Sequence, residues 1–490
     1  MRVLGRGAAE LNSTNKNTIK TQTEVNMENQ INNQFKQYIQ SKKTEMENDL
    51  LALVAYESVE AEQTAKSPFG DQVGEALETV KSIGEKLGFK SKNHGGYYTT
   101  VDLGEVTEPN EAVGILCHAD VVPPGEGWNY NPLGEIVGSR IYGRGTLDDK
   151  GPTIASLYAM AAIKASGVKL SRPVRLVVGG NEETSSRCMK KYNAEDIPLW
   201  GGFSPDGDFP VIFAEKGIAL HKGDFAIQSN IIEEITAGTA VNAVPGKAAA
   251  VINTTNTAFF DAALEQFPTP QKIGLSKTPN SKIQITAVGK SAHGSMPECG
   301  ENAVKILLDF LSLLNIDDPL LKTLADINAL FCQDCNGKAA GVACQDEVSG
   351  SLTWNLGILN YQNGNLHLEL DMRYPVTADY AAIKSKLDAA SAKYNLHLDC
   401  AEHKLPLYVD KKSPLVQTLV DVYKSTGRKD TEPLAIGGGT YCRTMENFVA
   451  FGPLGADDQD TMHMADEFIE REHLLFLAEV YALAIYRLAK

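Results

Sequence analysis

The sequence predicts an α/β domain with a mixed, mainly parallel sheet covered by helices, interrupted by an inserted α+β domain. Two observations carry the first part. AVGILCHAD (residues 112–120) and RLVVGGNEE (residues 175–183) are continuous apolar runs that end in polar residues. Such runs read as central strands covered on both faces. Between them, GPTIASLYAMAAIKASG (residues 151–167) reads as a long helix with Pro152 in its first turn. Strand, helix and strand make a βαβ unit, and ligands of open α/β sheets gather where the strands end. The third observation is a change of rhythm beyond residue 214. GIALHKGDFAI, KIQITAVGK and LHLELDMRYP look like antiparallel strands, and they alternate with helices near 300–315 and 378–394. This predicts a lid of ferredoxin-like lobes over 214–407, inserted into a domain formed by 27–213 and 408–490.

The remaining elements follow from punctuation. Helical patterns run from about 28 to 57 and from about 74 to Gly88. Ser413-Pro414 opens a helix that Gly427 closes. Another helix is expected after Gly437-Gly438-Gly439, and a last one from about 470 to the end. Residues 1–26 have no apolar core and no small-residue cleavage site, so they are not a secretory signal. Glu10, Glu24 and the missing amphipathic stripe count against a transit peptide. The expectation is a disordered or cloning-derived leader, with Met27 as a candidate start.

The chain has 490 residues, is 43% hydrophobic and carries a formal net charge of −16. That length suggests two or more lobes. So acidic a surface argues against nucleic acid or an anionic membrane as partner. No apolar run is long enough to span a bilayer. Eight cysteines are scattered without a disulfide-like framework, which fits a reducing, cytoplasmic setting. Cys332 and Cys335 form a lone CxxC, read as a coincidence of a loop or helix end because no second pair accompanies it.

Five short segments carry chemistry. His118-Ala119-Asp120 ends a predicted strand. Asp120, two residues on, points the same way as His118 and can accept its other ring N–H. Alone this would be a surface His–Asp pair. Asp148-Asp149 precedes a helix amid glycines; a carboxylate there can bridge two cations, and an ordinary helix cap is the competing reading. Glu182-Glu183 ends the second apolar run, where adjacent acids are costly to bury unless neutralised. Asp206 lies in a carboxylate-rich turn, and His463 lies in a late segment flanked by acids.

Together these give nitrogen and oxygen ligands without a thiolate, typical of hydrolytic two-metal sites rather than structural zinc. With GRGTLDDKGP, NEETSS, SPDGDFPVIFAEKG and IGGGTYCR, the chain from about Met27 to Lys490 resembles the co-catalytic zinc peptidases, and within them the dipeptidase V branch. Relatives in that family include glutamate carboxypeptidase, aminoacylase and succinyl-diaminopimelate desuccinylase. The resemblance implies that His118 and Asp206 hold one zinc, that Glu183 and His463 hold the other, and that Asp148 bridges them. Manganese or cobalt would suit the same donors. It further implies a general base at Glu182, an orienting role for Asp120, and a cis peptide between Asp148 and Asp149. Asn242, His293, Arg373 and Gly439 match substrate-binding positions. Arg373 suits a peptide carboxylate because its fork binds both oxygens, and a strand-end salt bridge is the competing reading. His293 could stabilise an oxyanion. The loop of three glycines lacks the Gly-Lys-Ser/Thr of a phosphate loop.

The function expected is hydrolysis of dipeptides or very short peptides. Asp at position 206, rather than Glu, favours that by analogy with the family. An N-acyl amino acid deacylase shares the same ligands and is the alternative. A catalytically dead binding protein is disfavoured because no expected residue is missing. The lid is nearly twice the size of one small domain, so a second lobe is expected to stand where a partner's lid would dock, giving a monomer.

Overall fold

The computed structural model describes residues 22–314 and 316–490. Residues 1–21 of the expected leader lie outside the described residues. A helix already begins at Gln22 (Gln22–Ser41). The chain divides into two compact units. Of the described residues, the first comprises those up to Val211, Lys412–Glu432 and Thr444–Lys490, and the second Ile212–Lys411 and Pro433–Arg443.

In the first unit the strands run in the order Lys90–Asn93, Tyr98–Leu103, Val174–Gly179, Val113–His118, Gly201–Ser204, Phe448–Ala450. Val113–His118 is parallel to both of its neighbours, and Phe448–Ala450 is parallel to Gly201–Ser204. The first two strands are antiparallel additions at one edge. Every residue of Val113–His118 and of Val174–Gly179 is buried, as their unbroken apolar pattern requires. Gly202 is tied to this close pairing: a β-carbon there would come within 1.9 Å of the Gly114 carbonyl oxygen.

The helix Lys150–Ser166 connects the two central strands. It is buried from Lys150 to Ile163 because the terminal helix Arg471–Ala489 and the helices Gln22–Ser41 and Lys43–Val54 pack against it. Gly167, with φ 70°, ends it. The single helix expected over 28–57 is thus two, interrupted at Lys42. The helix Pro414–Ser425 is capped by Ser413, whose hydroxyl accepts from Val416 N–H at 3.3 Å. No described helix is long and apolar enough to cross a membrane.

The second unit is built on one antiparallel sheet of eight strands: Ile273–Lys277, Ile283–Val288, Lys247–Ile252, Ile232–Ala237, Thr353–Gln362, Asn365–Tyr374, Gly217–Ala226, Asp399–Lys404. The first four and the last four are joined by pairing between Ile232–Ala237 and Thr353–Gln362. Burial alternates along Ile283–Val288, with Ile283, Ile285 and Ala287 facing the core. Leu307 of the helix Ala303–Leu311 and Leu387 of the helix Tyr380–Ala392 belong to that same apolar core. Where a helix was expected after the three glycines, there is a four-residue 3-10 turn, Tyr441–Thr444.

Arg175 illustrates how charge is buried in the first unit. It is 6% exposed. It donates to both oxygens of Asp102 at 2.8 Å and to Asp196 at 2.7 Å. Arg175→Leu strands these carboxylates and should destabilise the unit by about 3–5 kcal/mol. The check is a lowered urea midpoint, with partial recovery when Asp102→Leu is added.

Candidate metal centre

The acidic and histidine residues singled out from the sequence converge at the C-terminal ends of the first unit's parallel strands. His118 is the last residue of Val113–His118. Glu182 and Glu183 follow Val174–Gly179, Asp206 follows Gly201–Ser204, and Asp148 precedes the helix Lys150–Ser166. His463 comes from the loop between Pro453–Leu454 and Phe468–Glu470, with φ 60°.

Asp148 stands between two imidazoles. Its Oδ1 is 3.0 Å from His118 Nε2, and its Oδ2 is 3.0 Å from His463 Nε2. His463 Nε2 is also 3.2 Å from Glu183 Oε2, and His118 Nε2 is 3.8 Å from Asp206 Oδ2. Donor atoms of His118, Asp148 and Glu183 lie within 4.8 Å of one another, as do those of His118, Glu182 and Asp206. The peptide between Asp148 and Asp149 is cis.

The tautomer of His118 follows from its surroundings. Its Nδ1 lies 3.0 Å from the Asp120 backbone carbonyl, which can only accept, so Nδ1 carries a proton. In a neutral ring Nε2 then offers its lone pair toward Asp148 and Asp206. The Asp120 carboxylate stands farther from the ring, 3.6 Å from Nδ1. It accepts instead from the N–H groups of Glu182 and Glu183, at 3.0 and 3.1 Å. The orienting contact expected of the side chain is thus made at closest range by the main chain, and the side chain holds the two glutamates.

The electrostatics call for cations. Burial pushes the Glu182 carboxyl well above the usual carboxylate range, and the Asp206 charge adds to this. Burial, reinforced by Asp148, pushes Asp206 up to about 7. Burial would raise Asp148 as well, but the two imidazoles hold it below its ordinary value. His463 is pushed up to about 10, first by Asp148 and then by Glu183. Glu183 Oε1 is buried without a hydrogen-bond partner. Two donors each about 2.1 Å from one tetrahedral zinc stand about 3.4 Å apart, close to these separations. The donor set, its orphaned oxygen and its crowded charge fit divalent cations.

Further residues hold these loops without touching the centre of the cluster. Glu467 is fully buried. Its carboxylate meets Arg144 Nη1 at 2.5 Å and accepts from the N–H groups of Gly145, Leu147 and Asp148 at 3.0, 2.9 and 3.2 Å. Asp466 accepts from the backbone N–H groups of Asn129 and Tyr130 at 2.7 and 3.2 Å. Asp149 accepts from the His118 N–H at 3.0 Å. All three lie inside the acidic segments, yet nothing in their spacing distinguishes ligand from support.

The remaining candidates belong to the second unit. Asn242 and His293 are on adjoining segments: Gly294 N–H donates to the Asn242 carbonyl at 2.6 Å, and Ala243 pairs with His293. His293 Nδ1 accepts from Ser295 N–H at 3.2 Å and lies 2.7 Å from the Ser295 hydroxyl. A neutral ring therefore carries its proton on Nε2. Burial lowers its pKa, and Arg373 lowers it further, so the neutral form is favoured. Arg373 corrects an expectation. Its Nε and Nη2 already engage both oxygens of buried Asp371, at 2.7 and 2.8 Å, and Nη1 donates to the Gly437 carbonyl at 3.3 Å. The strand-end salt bridge is present, and the fork is not open. Gly439 lies in the glycine run before the 3-10 turn. The turn's Thr440 N–H donates to Glu215 at 3.1 Å, so that amide already receives a carboxylate from within the chain.

A profile of the peptidase family M20/M25/M40 matches residues 114–487. The chain is 37% identical over 461 residues to the Bacillus subtilis (strain 168) protein named "Putative dipeptidase YtjP", covering 92% of this chain and 98% of that protein. Among solved structures, aminoacylhistidine dipeptidase from Vibrio alginolyticus is similar, with TM-score 0.55 and 13% identity over 90% of this chain and 96% of that one. Human carnosine dipeptidase 1 is similar with TM-score 0.52 and 14% identity over 93% and 99%. At such identities the structural likeness speaks of the fold alone.

Glu467→Gln removes the charge that faces Arg144 while keeping the shape of the side chain. It should weaken divalent-metal binding about 10–100-fold, as loss of a support behind a ligand loop does. Competition with a fluorescent chelator measures this. An unchanged affinity would mean the loop holds its form without that charge.

Proposed function

The chain belongs to peptidase family M20/M25/M40, a metal-dependent family, and from that premise we propose that it hydrolyses the peptide bond of dipeptides or very short peptides at two zinc ions. The observation that carries the reading is Asp148, with one oxygen toward each of two imidazoles and Glu182 left over beside them. His118 and Asp206 would hold one cation and Glu183 and His463 the other, with Asp148 shared and Asp120 supporting His118 and the two glutamates. Manganese or cobalt would suit the same donors. When bound, the cations would polarise the scissile carbonyl and lower the pKa of a water.

Glu182 takes a proton from the attacking water on a carboxylate oxygen and passes it to the departing amine nitrogen. Its burial beside Asp206 raises its proton affinity, which favours the first of these transfers. His293 donates Nε2–H to the carbonyl oxygen as negative charge gathers there. Asn242, Gly439 and Arg373 hold the rest of the substrate, with Arg373 acting through Nη1 rather than through an open fork.

We further propose a cytoplasmic monomer that binds neither nucleic acid nor membrane. The acidic surface and the scattered cysteines support this. So does the continuous sheet of the second unit, in which four strands complete the edge of the other four. Of its outer strands, Asp399–Lys404 has every residue exposed and carries Asp399, Glu402 and Lys404, charges that discourage pairing with another chain.

Glu182→Gln is expected to keep its metal by elemental analysis yet lose kcat on dipeptides by about 10²–10⁴-fold. Near-normal turnover would refute the base assignment. A library of free dipeptides assayed beside N-acetyl and N-succinyl amino acids tests the substrate class; faster cleavage of the acyl amino acids would make the chain a deacylase. The monomer is tested by co-refolding His293→Ala with Glu182→Gln. No recovery of activity, together with a monomeric mass by light scattering, is the expected outcome. Recovery would place His293 in the site of a second chain.

A further inference from the structure

Two of the sequence motifs, AEKG and GGGTYCR, contain an ion pair with no part in the reaction described. Glu215 and Arg443 lie 228 positions apart, both in the second unit. Glu215 ends the strand Ile212–Glu215 and is fully buried. Its carboxylate accepts from Arg443 Nε at 3.0 Å and from the N–H and hydroxyl of Thr440 at 3.1 and 2.5 Å, and Arg443 Nη2 stands 2.9 Å away as an ion-pair contact. The guanidinium also reaches main-chain carbonyls, Nη1 donating to Leu405 at 2.9 Å and Nη2 to Lys216 at 3.0 Å and Gly438 at 3.2 Å.

The consequence falls on the glycine run. Arg443 holds the carbonyl of Gly438, and Arg373 Nη1 holds that of Gly437. In a trans peptide the C=O of one residue and the N–H of the next point in opposite directions. Drawing these two carbonyls inward therefore turns the N–H groups of Gly438 and Gly439 the other way. Among the described residues neither N–H has a protein partner. Gly439 is exposed, and a β-carbon on it would come within 3.1 Å of Arg443 Nε, so the guanidinium lies against its backbone. A β-carbon on Gly437 would come within 2.9 Å of Ser295 Cβ, which places the run beside the turn that carries His293.

We propose that Glu215 and Arg443 form a positioning clamp that presents the N–H groups of Gly438 and Gly439 to the carboxylate of a peptide substrate. This rests on the reading of Gly439 as a substrate-binding residue. Adjacent main-chain N–H groups left without a protein partner can receive an anion. The pair suits the task because a planar guanidinium can hold a carboxylate and several carbonyls at once, which an ammonium cannot.

The test uses Arg443→Lys, which keeps the charge and loses the fork, and Glu215→Gln, which keeps the shape and loses the charge. Both are made in the full metal-loaded chain. Each is assayed on a dipeptide and on its C-terminal amide, and the peptide covering residues 437–440 is followed by hydrogen exchange. Exchange there should quicken while metal content stays at the parent level. KM for the free dipeptide should rise about tenfold, the worth of one hydrogen bond to a charged group, with KM for the amide and kcat little changed. Unchanged exchange in both variants overturns the clamp. Faster exchange with KM rising equally on both substrates overturns the carboxylate role of the glycine run, and with it that part of the proposed function, while the clamp's hold on the loop stands.

Discussion

The Asp148 carboxylate, 3.0 Å from an imidazole nitrogen on either side, sets the terms for the first unit. Around it Glu182, Glu183 and Asp206 share a volume in which their charges cannot all persist uncompensated. The consequence is visible in the upward displacement of Glu182 and Asp206 and in the unpartnered oxygen of Glu183. Buried charge of one sign is stable only when something of the opposite sign accompanies it. The cluster is therefore built to be completed by cations, and the surrounding fold has to hold it open against its own repulsion.

That restraint comes from the main chain more than from neighbouring cations of the protein. Asp120 and Glu467 each spend a buried carboxylate on two or three backbone N–H groups of loops that carry candidate ligands. A carboxylate that accepts several N–H bonds fixes the loop that carries them. Acids in these segments thus divide into those that point at the centre and those that hold its frame. In the second unit Glu215 likewise accepts from the Thr440 N–H and also fastens the side chain of Arg443, whereas Asp371 fastens the side chain of Arg373. Both charged side chains of each pair are thus engaged by the protein itself.

Much of this was legible before any coordinates. Continuous apolar runs at 112–120 and 175–183 became the two central parallel strands, because only burial on both faces tolerates such runs. The helix between them begins at Lys150, within a residue of where Pro152 and Gly151 indicate, and ends at Gly167. The glycine run was misjudged. Its composition permits a helix start, but the turn that follows is four residues long, because Glu215 captures Thr440 and Arg443 before a helix can propagate. Local propensity is weak there, and a contact 228 positions away in sequence outweighs it.

The sequence by itself determined which residues could ligate and where the strands that carry them end, since residue chemistry and hydrophobic periodicity are local properties. Only the tertiary structure decided that Asp148 faces the centre while Asp149 holds the His118 N–H, that Asp120 serves the glutamates through its carboxylate and His118 most closely through its carbonyl, and that the fork of Arg373 is closed by Asp371. These are questions of direction. A side chain's direction depends on which distant donors share its space, and that is settled only when the whole chain has packed.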